Sequence, residues 1–133
     1  MKLILDTNII IRFLANDHPE HSPKARNLFE RMTNNVLTLI LDPIVVAESV
    51  YVLSGKYFGY SREEISNWMT KLIEFCEVDN KEVLLTAMSN FAHHKVDFAD
   101  AYLASKSEYL GEQVATFNTK DFEKMGVNSI IPE

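Results

Sequence analysis

A chain of 133 residues, 47% hydrophobic and 24% charged, is long enough for one packed domain over residues 1–133 and too apolar for a disordered segment. Its net charge of −6 excludes a protein that coats nucleic acid through basic surface. No apolar run nears the roughly 18 residues of a membrane span, no basic-then-apolar leader is visible, and the single cysteine, Cys76, reads as a buried thiol, which together point to a cytoplasmic protein with no membrane partner.

Leu3-Ile4-Leu5 reads as a buried central strand, because the run is short, apolar and stopped by the polar turn Asp6-Thr7-Asn8. Thr7 or Asn8 can cap a helix over the apolar residues that follow. After a loop at residues 17–21, Ser22 and Pro23 suit the cap and first position of a helix carrying Ala25, Leu28, Phe29 and Met32 on one stripe. Residues 36–41 read as a second buried strand, and Asp42-Pro43 opens a helix that Gly55 stops. An aromatic loop, Tyr57-Phe58-Gly59-Tyr60, leads to Ser61 and Glu64 at the spacing of a capping box, with Ile65, Trp68, Met69, Leu72 and Ile73 behind it. Residues 75–78 suggest a short strand. Asp79 and Glu82 repeat the capping-box spacing ahead of a helix that His93-His94-Lys95-Val96 breaks. Asp97 begins another helix, ending near Gly111; residues 114–117 form a strand, Asn118 to Phe122 turn into a short helix, and residues 128–131 close the chain as a strand. Strands alternating with helices predict an α/β fold: a three-layer α/β/α sandwich on a mostly parallel sheet of about five strands, the first near the centre.

The acids are the informative residues. Asp6 follows the first strand, at the sheet edge where open parallel sheets bind ligands. Glu48 lies in a helix apolar nearly all round, where a lone charge costs several kcal/mol unless it meets a cation or a metal. A buried salt bridge to Arg12 or Lys56, or a gap where the helix meets solvent, explains Glu48 equally well. Asp97 and Asp100 share a helix start, where capping and the helix dipole already account for both. Asn118 and Asp121 follow a later strand, and turn formation is enough to explain Asn118. Taken jointly, several carboxylates at strand ends must hold protons or bind a cation. Oxygen-only ligands suit Mg²⁺ or Mn²⁺, and such ions serve phosphodiester hydrolysis without a nucleophilic side chain. The His18, His21, His93 and His94 side chains lack the second half of a zinc site and read as surface residues.

Leu5-Asp6-Thr7-Asn8, Glu48-Ser49-Val50-Tyr51-Val52-Leu53 in an apolar helix, Asp97-Phe98-Ala99-Asp100-Ala101-Tyr102-Leu103-Ala104 and Thr116-Phe117-Asn118-Thr119-Lys120-Asp121-Phe122 occur in this order. The set resembles a PIN domain, and more narrowly the VapC-like ribonuclease toxins of toxin–antitoxin pairs. That resemblance covers essentially the whole chain. It implies an α/β/α sandwich, Mg²⁺- or Mn²⁺-dependent RNA cleavage, homodimers and inhibition by an antitoxin protein. Carried over, Asp6 matches the first acid, Glu48 the second and Asp100 the third, with Asp97 as an extra ligand. Asn118 stands where many relatives have aspartate, leaving open whether Asn118 or Asp121 completes the site and how many metal ions it holds. Thr7 and Thr116 match small hydroxyl positions, and Asn8 a residue that braces the site. Arg12, Lys56, Lys95 and Lys120 lie near these elements as candidate RNA contacts.

Two other readings compete. A non-catalytic PIN-like binding module is suggested by Asn118. An aspartate-phosphorylating phosphatase or receiver domain would also place an acid after a central strand, but Asn8 stands where such a phosphatase needs its second aspartate, and a receiver's early acidic pair is missing.

Overall fold

Lys2–Ile4 form strand β1, which runs parallel to β2 (Thr38–Ile40) with Leu3 opposite Leu39. The computed structural model describes all residues, Met1–Glu133. Beyond β2 the chain at Glu77 adds a single parallel bridge to Ile40, closed by the Glu77 N–H to Leu39 O bond (2.8 Å) and the Leu41 N–H to Glu77 O bond (2.9 Å). The strand expected over 75–78 is therefore one residue pair wide, and Phe75 ends the preceding helix instead. β2, not β1, has neighbours on both sides, which corrects the placing of the first strand at the centre. Leu39 is fully buried, whereas Ile4 is 74% exposed, so one face of β1 is open.

The chain divides into two compact units, Met1–Asp79 and Asn80–Glu133. In the first, α1 (Thr7–Ala15), α2 (His21–Thr33), α3 (Pro43–Ser54) and α4 (Arg62–Phe75) pack around Leu5, Ile10, Leu39, Val46, Leu53, Ile65, Met69 and Ile73. Asp42 accepts from the Ile44 N–H (2.8 Å) with Pro43 behind it, and Ser61 and Glu64 close the expected capping box. α2 starts at His21 rather than after Ser22, because another residue supplies the cap. His18 Nδ1 accepts from the N–H groups of Glu20 (3.2 Å) and His21 (3.0 Å), and the buried Ser22 hydroxyl accepts from the His18 N–H (3.1 Å). His21 stacks on His18 with ring centres 4.0 Å apart. His18→Ala should therefore lower stability by about 1 kcal/mol, the usual worth of a cap, and His18→Asn should recover part of it, as read by urea unfolding. Equal stability of all three proteins would show that the imidazole caps nothing.

In the second unit α5 (Lys81–His93) and α6 (Phe98–Leu110) pack through small residues: Ala87, Ala101 and Ala104 are fully buried, and the Ser105 hydroxyl donates to Val83 O at 2.6 Å. Asn80, not Asp79, caps α5, accepting from the Val83 N–H. Gly111 ends α6 at φ 71°, the left-handed turn that favours glycine. β3 (Val114–Ala115) pairs in parallel with β4 (Ser129–Ile130), and α7 (Thr119–Lys124) connects them. The fold is α/β with seven helices and parallel strands, consistent with a PIN-like α/β/α architecture, but its strands form two two-stranded sheets rather than one of about five. Each strand is only two or three residues long, because helix caps and turns claim the flanking residues. No helix is long and apolar enough to cross a membrane.

Candidate active site

The first unit contributes Asp6 and Glu48. Asp6 lies two residues past β1 and is the N-cap of α1, its Oδ1 accepting from the Thr7 N–H at 2.8 Å. It is exposed, so its carboxylate faces solvent although it follows an apolar run. Glu48 is likewise exposed and makes no salt bridge. Arg12, one of its expected partners, instead binds Asp17 Oδ1 at 2.8 Å. The face of α3 that carries Glu48 also carries Ile44 (75% exposed) and Tyr51 (81% exposed), so a helix apolar nearly all round is nevertheless open along one stripe. The expected salt bridge is not made, and the helix opens to solvent at Glu48.

Each of these acids is followed by a buried hydroxyl. Thr7 Oγ1 and Ser49 Oγ have no hydrogen-bond partner and are shielded from solvent. Such groups are rare, since an unsatisfied buried hydroxyl costs about 1–3 kcal/mol. Thr7 was a candidate from sequence; Ser49 was not, although a serine inside so apolar a helix is the signal that could have found it. Asn8 is exposed on the first turn of α1.

The second unit contributes the denser group. Asp97 occupies the N-cap of α6 without making a side-chain cap bond, so capping does not account for its carboxylate. Asp100, in the first turn of α6, is half-buried. Burial raises its pKa above the ordinary value of 3.8, and the negative charges of Asp97 and Asp121 raise it further. Asp121, in the first turn of α7, moves the other way. The Asn118 Nδ2 donates to its Oδ2 at 2.7 Å and holds the carboxyl below its ordinary range against partial desolvation, with Lys124 assisting from 3.4 Å. Asn118 N–H in turn donates to Thr116 Oγ1 at 2.9 Å. Asn118 thus orients Asp121, and Thr116 orients Asn118. This unit brings Asp97 and Asp121 within electrostatic reach of Asp100, whose pKa is raised while that of Asp121 is lowered.

The donors are all oxygens, and the repulsion that adds to burial in raising Asp100 is what a hard cation relieves, so the residues fit Mg²⁺ or Mn²⁺ in kind. No three His, Cys, Asp or Glu side chains are gathered closely enough to form a ready-made ligand cage. His93 ends α5, donating from Nδ1 to Ser89 O at 2.8 Å, and is exposed. Lys56, Lys95 and Lys120 are exposed and make no salt bridge.

No curated protein matches the chain significantly. The family model of the PIN domain matches residues 3–128, across both compact units. With that match over nearly its whole length, the chain belongs to the PIN domain family, a nuclease-type domain.

Proposed function

We propose that residues 1–133 act as one nuclease domain, a Mg²⁺- or Mn²⁺-dependent endoribonuclease that is the VapC-like toxin of a type II toxin–antitoxin pair. The observation that carries this reading is the acid group of the second unit, where Asp97 and Asp121 help raise Asp100. Asp6, Glu48, Asp97, Asp100 and Asp121 are the acids assigned to the site, with Asn118, Thr7, Asn8 and Thr116 holding or orienting them. A bound Mg²⁺ or Mn²⁺ would supply Lewis acidity toward a phosphoryl oxygen and make water a stronger nucleophile.

The chain's own residues divide the remaining work. Asp100, raised by burial and by the charges of Asp97 and Asp121, is the carboxylate whose charge a bound cation would favour. Asp121, kept ionised by Asn118, stays a ligand. Lys56, Lys95 and Lys120 hold phosphates, while Arg12, already bonded to Asp17, contributes less. An apolar cleft of about 400 Å³ lined by Phe13, Phe29, Met32, Trp68, Leu72 and Phe75 supports a protein partner, either the antitoxin or a second copy in a homodimer. The compartment proposed is the cytoplasm, where RNA and a buried thiol such as Cys76 both belong.

Purified protein should cleave single-stranded RNA with Mg²⁺ or Mn²⁺ and stop in EDTA, and Asp6→Asn should abolish cleavage. Cleavage that survives both EDTA and Asp6→Asn would overturn the assignment. Divalent-independent assembly, unaffected by Asp6→Asn and without any cleavage, would favour the binding-module reading.

A further inference from the structure

Beyond the acids, one surface of the first unit is built in a way that catalysis and packing leave unexplained. Tyr57 is 84% exposed, yet its ring is not loose. Phe58 meets it edge-on with ring centres 4.8 Å apart, Tyr60 stacks on Phe58 at 5.9 Å, and Trp68 of α4 meets Tyr60 edge-on at 4.8 Å. Backbone bonds fix the loop that carries these rings. The Gly59 N–H donates to Gly55 O (2.7 Å) and the Tyr60 N–H to Leu53 O (3.2 Å), with Gly59 at φ 61°. Tyr57 is the exposed end of this chain of four rings, touching Phe58 alone among them, and so gains nothing for the core. Tyr51 is a second exposed ring, 81% exposed and one turn beyond Glu48 on the same face of α3. Lys56, exposed and in no salt bridge, lies between the two in sequence.

We infer that Tyr51 and Tyr57 form a base-stacking platform for single-stranded RNA, leading away from the Glu48 end of the site, with Lys56 on the intervening phosphate. The inference rests on the nuclease reading, because it is Glu48 that puts the substrate on this face of α3. Exposed aromatic rings bind unstacked bases whatever their identity, and a tyrosine offers a π face with little side-chain freedom to lose. A paired duplex hides its bases and gains nothing from such rings, so the platform selects single strands.

The test is equilibrium binding of a fluorescein-labelled single-stranded oligoribonucleotide to the full chain in EDTA, beside an abasic strand of the same length. The wild-type chain should bind the base-bearing strand more tightly. Tyr51→Ala and Tyr57→Ala should each weaken that binding about tenfold while leaving abasic binding unchanged, and the phenylalanine variants should bind as the wild type does. Equal wild-type affinity for the two strands, or parallel loss of both in the alanine variants, would overturn the platform. So would unchanged RNA affinity accompanied by a change in sedimenting mass, which would assign the rings to a protein contact. Metal-dependent cleavage that persists while base-dependent binding is absent sinks the platform alone. Base-dependent binding lost with the rings, in a chain that cleaves nothing, sustains the platform and removes the nuclease.

Discussion

Asp100→Asn should lower RNA cleavage about a thousandfold while making the metal-free protein more stable at neutral pH. The first effect follows from the several kcal/mol that a metal-held reaction centre contributes, at 1.36 kcal/mol per tenfold in rate. The second follows from the direction of the pKa shift. Burial, Asp97 and Asp121 raise Asp100 in the folded chain, so its charged form is disfavoured there relative to the unfolded chain. That penalty is present above the raised pKa and is relieved as pH falls through it toward the unfolded value. Asparagine removes the charge and with it the penalty. The stability advantage of the variant should therefore be largest near neutral pH and shrink in acid. Asp121 has the opposite sign: its bonds to Asn118 and Lys124 favour the charged form, and its contribution is present at neutral pH and lost in acid. Asp121 keeps its bonds to Asn118 and Lys124 in both proteins, so the difference between their thermal unfolding curves across pH reports position 100 together with its coupling to Asp97 and Asp121. Added Mn²⁺ should raise the melting temperature of the wild type more than that of Asp100→Asn. A variant that is less stable at pH 7, or that cleaves RNA undiminished, would show that the acids around Asp100 are not a strained, functional group.

This coupling of strain to function also marks where the sequence was readable. Local rules placed Asp42-Pro43, Ser61 with Glu64 and Gly111 at helix ends correctly, since each acts through its own backbone neighbours. The α2 start was not readable, because His18 caps it with a ring nitrogen rather than a serine oxygen. Strands were found but overextended, since apolar runs such as residues 36–41 do not reveal how few of their residues enter a ladder. Glu48 was singled out for a reason that the structure corrects. Composition made α3 look buried, but exposure is set by which neighbours pack against each stripe, and Ile44, Glu48 and Tyr51 have open surface. Asn118 read as a turn former or a site ligand; its amide nitrogen also holds Asp121 in place, a role visible only once the two side chains are seen 2.7 Å apart. The orphan hydroxyl of Ser49 has no signature beyond a serine in an apolar helix, because the absence of a partner is a property of packing.

Phe122→Ala is expected to cost about 3–5 kcal/mol, the range for removing a fully buried phenylalanine. α7 has six residues, and Phe122 is the only one buried, 1% exposed. A helix this short has no independent stability, so the ring is its anchor. The chain past α7 hangs on the same residue, since Phe122 O accepts from the N–H groups of Met125 and Val127 at 3.1 Å each. The melting temperature should fall by about 10–20 °C for a chain of this length, with Phe122→Leu intermediate. Below the melting point, the same loosening should reach Asp121, next in sequence, whose low pKa depends on the Asn118 amide staying in position. Hydrogen exchange should show α7 opening ahead of α5 and α6, and metal affinity should drop although no ligand has been replaced. Melting within a few degrees of the wild type, with exchange unchanged in α7, would mean that the Asn118–Asp121 pair is held by something other than the Phe122 ring.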